Sequence, residues 1–286
     1  AVTGVQTCAL PISLNSPPNP PPKVFKVRLH DDLGTLDWMN GEVNGEIVYQ
    51  LMDGLFRSDR EGRARPAVAD RFTWNETQTE LKLHLAASKW SDGAEVCAQH
   101  FVDAWTRLRD KSFASPYAHY AAPIASFSAD GCKRLVIRFH RQAPEAPELL
   151  TNLVFFPFRP DNLKQHPKAF TEGTTLLVNG PFRVAEWRRN ELLALERNPR
   201  YSGRRPKLER AEFRFIPEDA TAKTMFELRQ LDWVKEVPQL LRTPTMEESG
   251  ELLQFPSLIQ YYFGLKDRKS TRLNSSHGYI SYAVFC

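Results

Sequence analysis

Long apolar runs are missing from this 286-residue chain. No stretch approaches the roughly eighteen apolar residues that a membrane-crossing helix needs, so no transmembrane helix is expected. Catalytic signatures are missing as well: there is no G-x-S-x-G elbow, no Walker loop, no G-x-G-x-x-G turn and no H-E-x-x-H pair. With no nucleophile and base at readable spacing, the chain is expected not to be an enzyme; a secreted hydrolase is the competing class. A strong excess of one charge is also absent, since 38 Lys and Arg face 34 Asp and Glu. A nucleic-acid partner would call for a clustered basic stripe, so none is expected. Cysteine is scarce, at four residues.

Two of those cysteines, Cys8 and Cys286, sit in unusual tails. DRKSTRLNSSH (267–277) matches the translation of a sequencing-library adapter strand, and ISYAVFC (280–286) matches its continuation beyond an index. VTGVQTCALPI (2–12) translates the reverse complement of the same strand. One oligonucleotide read from both strands accounts for both ends. Residues 1–13 and 267–286 are therefore expected to be adapter-derived and carry no fold information. The glycosylation-type match at Asn274-Ser275-Ser276 goes with them. So do Asp267, Arg268, Lys269 and Arg272, whose net +2 is half of the formal +4. About 253 residues remain, Leu14 to Lys266, enough for one or two domains with real cores. Their two cysteines, Cys97 and Cys132, are compatible with one disulfide in an oxidising compartment or with two buried thiols.

Along the remaining chain, the proline-rich LNSPPNPPPK (14–23) reads as an extended linker. VFKVRL (24–29) alternates as a strand does. VNGEIVYQLMDGLF (43–56) places Val43, Ile47, Leu51 and Leu55 on one helical face. LKLHL (81–85) is a strand, and a Ser-Asp-Gly turn leads into a helix within residues 89–110, with Val96, Phe101, Ala104, Trp105 and Leu108 on its buried side. RLVIRFH (134–140) is another strand. PFRVAEWRR (181–189) and ELLALERN (191–198) form a hairpin about Asn190. ERAEFRFIP continues as a strand, ATAKTMFELRQ (220–230) as a helix, LDWV as a strand, and LLQFPSLIQYYFGLK as one or two more. This mixture predicts an α/β fold of mixed α+β lobes.

Two small clusters could carry chemistry. Cys97-x-x-His100 offers two metal ligands but no second pair, so a structural reading, a buried thiol and an exposed imidazole, is preferred. His30-Asp31-Asp32 reads as a loop after the first strand. No metal site and no cofactor are expected.

The order of several segments resembles the solute-binding proteins of peptide ABC importers, the oligopeptide/dipeptide-binding family. The matching pieces are LDWMNGEVNGEIVYQLMDGLFRSDREGRARPAVADRF, LKLHLAASKWSDGAEVCAQHFVDAWTRLRD, FASPYAHYAAPI, VNGPFRVAEWRRNELLALERNPRY and LDWVKEVP. The resemblance implies a periplasmic-binding-protein-like fold of type II, of which this chain supplies the first lobe only. It implies a discontinuous domain I at 24–65 and 161–255, a domain II at 66–160, and a hinge strand at 256–266 leading to a second lobe. It implies an extracytoplasmic protein, periplasmic or a cell-surface lipoprotein, whose signal peptide was lost with the native start. The implied partners are a peptide ligand and a membrane-embedded ABC permease, with the protein itself a monomer. Relatives in that family bind nickel, haem or sugars instead. The ligand strand maps to Gly41, Glu42, Val43 and Asn44, the cleft aromatics to Tyr117 and Tyr120, a bordering segment to Val234, Lys235 and Glu236, and the hinge aromatics to Tyr261 and Tyr262. One departure from the family pattern is Gln230, where a glycine is usual.

Overall fold

The computed structural model describes residues 24–252 apart from 42, 60, 236 and 249–251. The linker and tails, and with them Tyr261, Tyr262 and most of the strand expected at 252–266, lie outside the described residues. The chain divides into two compact units at Val237 and Pro238. Of the second unit, the described elements are a 3₁₀ turn at Gln239–Leu241 and a helix at Pro244–Glu248.

In the first unit, the strands are β1 (Val24–Leu29), β2 (Phe56–Ser58), β3 (Ala64–Pro66), β4 (Ala69–Trp74), β5 (Glu80–Leu85), β6 (Ile124–Asp130), β7 (Arg134–Phe139), β8 (Phe182–Arg188), β9 (Leu192–Arg197) and β10 (Arg210–Phe215). The helices are α1 (Gly45–Leu51), α2 (Ala98–Arg109), α3 (Ala146–Leu149), α4 (Pro160–Gln165), α5 (Ala169–Glu172) and α6 (Asp219–Glu227). One sheet runs β1-β10-β9-β8, with β1 parallel to β10 and the other pairs antiparallel. A second sheet runs β4-β5-β7-β6, antiparallel throughout, and β2 and β3 form a short ribbon. One continuous hydrophobic core reaches both large sheets.

Alternation and helical period account for the main elements. In β5 the even-spaced Leu81, Leu83 and Leu85 are buried between exposed or half-buried neighbours. Helix α2 buries Phe101, Ala104, Trp105 and Leu108 completely, with Val96 just ahead of it. The β8–β9 turn needs a left-handed residue, which Asn190 supplies at φ 58°.

Three expectations change. Helix α1 stops at Leu51, short of Leu55, because the Gly180 amide donates to the Leu51 carbonyl at 2.8 Å, the acceptor that the amide four residues on would have used. That approach admits only glycine: a Cβ on Gly180 would lie 2.5 Å from the Leu51 carbonyl carbon. Helix α6 ends at Glu227, before the left-handed Arg229. The LDWV segment makes a single parallel bridge, Val27 to Trp233, on the free edge of β1 rather than a strand. Its ladder is interrupted because the Asp232 side chain, not a backbone carbonyl, accepts from the Lys26 amide at 2.8 Å.

Candidate ligand-binding segment

Asp37 organises the first part of the segment. Its carbonyl accepts from the Asn40 amide in a turn, and its carboxylate accepts from the Met39 amide and from both terminal nitrogens of Arg107. Arg107 lies 3.8 Å over the ring of Phe113, so the pair is held between charge and aromatic face. The turn delivers Gly41 at φ 96°, a conformation that favours glycine. Asn44 then caps α1, accepting from the Ile47 amide at 3.3 Å.

Two other parts of the chain meet this turn. The Ser115 hydroxyl donates to the Met39 carbonyl and accepts from the Tyr117 amide, bending the loop over it. The Tyr117 hydroxyl donates to the Gly41 carbonyl at 2.8 Å across 76 positions of sequence. Tyr120 packs beside it, ring centres 6.4 Å apart, and both rings are half-buried against the core. From the other direction Lys235 pairs with Glu46 in the first turn of α1, at 2.7 Å. Lys235 is placed there because Trp233 is hydrogen-bonded to the free edge of β1 through Lys26 and Arg28.

The structure thus brings Gly41, Tyr117 and Tyr120 together, and joins Lys235 to the start of the same helix that Asn44 caps. Val43 packs on the main core, and Val234 packs on a smaller cluster of Ile216, Ala222 and Leu231. Glu42, Glu236, Tyr261 and Tyr262 lie outside the described residues. Sequence reasoning missed Glu46 and Ser115. Glu46 carried a faint signal as an exposed acid in a helix first turn; Ser115 carried none.

The two small clusters are structural. Cys97 and Cys132 form a disulfide that ties the start of α2 to the β6–β7 turn. The His100 imidazole is half-buried against Trp90 rather than exposed as expected, and it accepts at Nδ1 from the Cys97 amide at 2.9 Å and from the Trp90 indole at 3.2 Å. Burial, with help from nearby Arg159, holds its pKa below the usual histidine value, which keeps Nδ1 free to accept. Asp32 accepts from Leu33, Trp187 and Asn190 and so pins the β8–β9 turn to the loop after β1.

A turn ending at Gly41 that meets a tyrosine loop, on a two-sheet α/β scaffold, is thus the arrangement these residues build. Residues 63–275 match the family model of bacterial extracellular solute-binding proteins, family 5 Middle. The chain belongs to that family. It is 28% identical over 277 aligned positions to a probable deoxycholate-binding periplasmic protein of Escherichia coli, covering 88% of this chain and 51% of that one. It is 26% identical to the periplasmic oligopeptide-binding protein of Salmonella typhimurium, covering 81% and 46%. Among solved structures, the unliganded open form of a periplasmic murein tripeptide-binding protein superimposes with a TM-score of 0.78 at 22% identity, over 85% of this chain and 51% of that one. A Bacillus anthracis oligopeptide transporter substrate-binding domain gives 0.70 at 26% identity, over 73% and 44%. The chain spans about half the length of the curated relatives it matches.

Proposed function

We propose that this chain is one lobe of an extracytoplasmic binding protein that takes up oligo- or dipeptides and hands them to an ABC permease. The Tyr117–Gly41 contact carries the reading, because it holds the Gly41 backbone beside two tyrosines. A buried peptide backbone must have its donors and acceptors paired, and an extended protein segment can pair them without reading side chains. Relatives named for oligopeptide binding support the cargo class. Binding rather than catalysis, a monomer and no nucleic acid belong to the same proposal. The periplasmic relatives and the Cys97–Cys132 disulfide support an extracytoplasmic setting. The division into domain I (24–65 with 161–255) and domain II (66–160) is part of it, supported by the two sheets, whose strands fall on either side of those limits.

A second reading, an amphipathic steroid carboxylate as cargo, is favoured by the deoxycholate-binding relative alone. Calorimetry separates the two. Titration with trialanine, N-methylated trialanine and deoxycholate below its micellar range should show weak binding of trialanine only, weaker than micromolar because one lobe presents one wall of the cleft. Loss on N-methylation marks backbone recognition. Micromolar trialanine binding would contradict the one-lobe reading, and deoxycholate binding without trialanine binding would overturn the peptide reading.

A further inference from the structure

Away from the ligand segment, the disulfide has a carboxylate for a neighbour. Glu95, Cys97 and Cys132 bring one carboxylate oxygen and two sulfurs within 4.8 Å of one another. The local chain explains the convergence. Val96 is buried between exposed Glu95 and half-buried Cys97, the alternation of an extended segment, so the two outer side chains share one side. Cys132 is held opposite them by backbone as well as by sulfur. The Ala98 amide donates to the Cys132 carbonyl at 2.8 Å, and the Leu85 amide to the Lys133 carbonyl at 2.8 Å. With the S–S bond opened, these bonds still keep the two sulfurs facing each other.

The carboxylate is placed as well. Lys133 Nζ pairs with Glu95 Oε1 and donates to the Ala86 carbonyl at 3.2 Å, which leaves Glu95 Oε2 turned to Cys132 Sγ at 3.5 Å. A disulfide sulfur carries no hydrogen, so this approach makes no hydrogen bond in the oxidised chain. The spacing fits another use. Tetrahedral zinc, roughly 2.3 Å from sulfur and 2.0–2.2 Å from a carboxylate oxygen, sets those two ligand atoms about 3.5–3.7 Å apart. Two thiolates and the carboxylate, offset by the Lys133 ammonium, also leave the charge that a divalent cation neutralises.

We propose that Glu95 and the reduced Cys97–Cys132 pair form a site for a zinc-type divalent ion, with water as the fourth ligand. The metal then replaces the S–S bond as the tie between the start of α2 and the β6–β7 turn. A dithiol reductant supplies the two electrons and two protons that convert the S–S bond into two thiols, and is itself oxidised to a disulfide. The ion displaces both thiol protons to solvent. In the oxidised chain the sulfurs are bonded to each other and hold no metal. The site does not involve Gly41 or Tyr117 and does not depend on the peptide reading.

The test uses the full chain carrying Cys8→Ser and Cys286→Ser, which removes the tail thiols. It is reduced with a phosphine, which gives the same dithiol without adding a competing thiol. Cobalt(II) is the spectroscopic probe and zinc(II) the competitor. The reduced chain should develop thiolate-to-cobalt charge-transfer absorption and the visible bands of a tetrahedral ion, and zinc should bleach both. The unreduced chain should show neither. Glu95→Gln should weaken cobalt binding by roughly tenfold or more while keeping the charge-transfer absorption, and Cys132→Ser should lose most of that absorption. No absorption in the reduced chain, the same spectrum without reduction, equal affinity in Glu95→Gln or an unchanged spectrum in Cys132→Ser overturns the proposal. Where reduction unfolds the chain, zinc must restore its near-ultraviolet circular dichroism, and failure to do so overturns the site.

Discussion

The sheet of β4–β7 and the sheet of β1, β8, β9 and β10 have four strands each but are closed in different ways. The first draws on residues 69–139, pairs only antiparallel, and is stapled to α2 by a disulfide across 35 positions. The second joins Val24 to Arg210 in parallel register and adds the Trp233 bridge on its free edge. Local pairing costs less chain entropy to close than distant pairing. The candidate ligand segment leans on the second kind: Lys235 reaches Glu46 only because residues 232–233 are hydrogen-bonded along β1. The locally closed part supplies Arg107, Ser115, Tyr117 and Tyr120 to the candidate site, and the sheet closed at long range supplies Lys235. Ligand-binding regions are commonly drawn from the less stable parts of a structure.

The comparison can be broken most forcefully from the locally closed side. Trp105 is fully buried, donates its indole N–H to the Phe155 carbonyl at 2.9 Å, and meets Phe127 and Phe155 edge-on. Trp105→Ala should cost roughly 3–5 kcal/mol, read from urea unfolding. Because one core reaches both sheets, signals from both should unfold together. Next, the double variant Cys97→Ser with Cys132→Ser should lose about 2–4 kcal/mol. Hydrogen exchange at Arg28 and Trp233 should stay as slow relative to global unfolding as before, since the staple lies in the other sheet.

A smaller change sharpens the second region. Asp232→Ala removes the acceptor for the Lys26 amide and should cost about 1 kcal/mol. Faster exchange should appear at Lys26, Arg28 and Trp233 while β5 and β7 keep their protection. The smallest effect is on pH dependence. His100 has a folded-state pKa below its ordinary 6.5, so below that pH the unfolded chain takes up a proton that the fold resists. Its contribution is fully present above pH 6.5 and is lost as the pH falls through the folded-state value. Replacing His100 with Gln should flatten thermal stability across that window.

Much of this scaffold was legible because its signals are local. The alternation in VFKVRL and LKLHL, the α2 face and the Asn190 hairpin all depend on neighbours a few positions apart. β4 was not assigned, because its pattern runs from buried Ala69 through four exposed residues and shows no alternation. β6 alternates in the fold, but its outward positions are small residues that give a weak contrast. The end of α1 was unreadable because Gly180, 129 positions away, takes the Leu51 carbonyl. The site was legible only through its family resemblance, which pointed to Gly41 and Tyr117. The hydrogen bond between them, and the Glu46–Lys235 pair, are products of long-range closure that no local pattern encodes.

We propose that Gly41, the Tyr117 loop and Lys235 belong to one ligand-binding surface. Residue-resolved amide shifts during a trialanine titration of the full chain test it most directly. The prediction is a shared, weak saturation curve for Gly41, Val43, Asn44, Tyr117, Tyr120 and Lys235, with β4–β7 unmoved. Shifts confined to the β4–β7 sheet, or separate curves for Gly41 and Lys235, would contradict it.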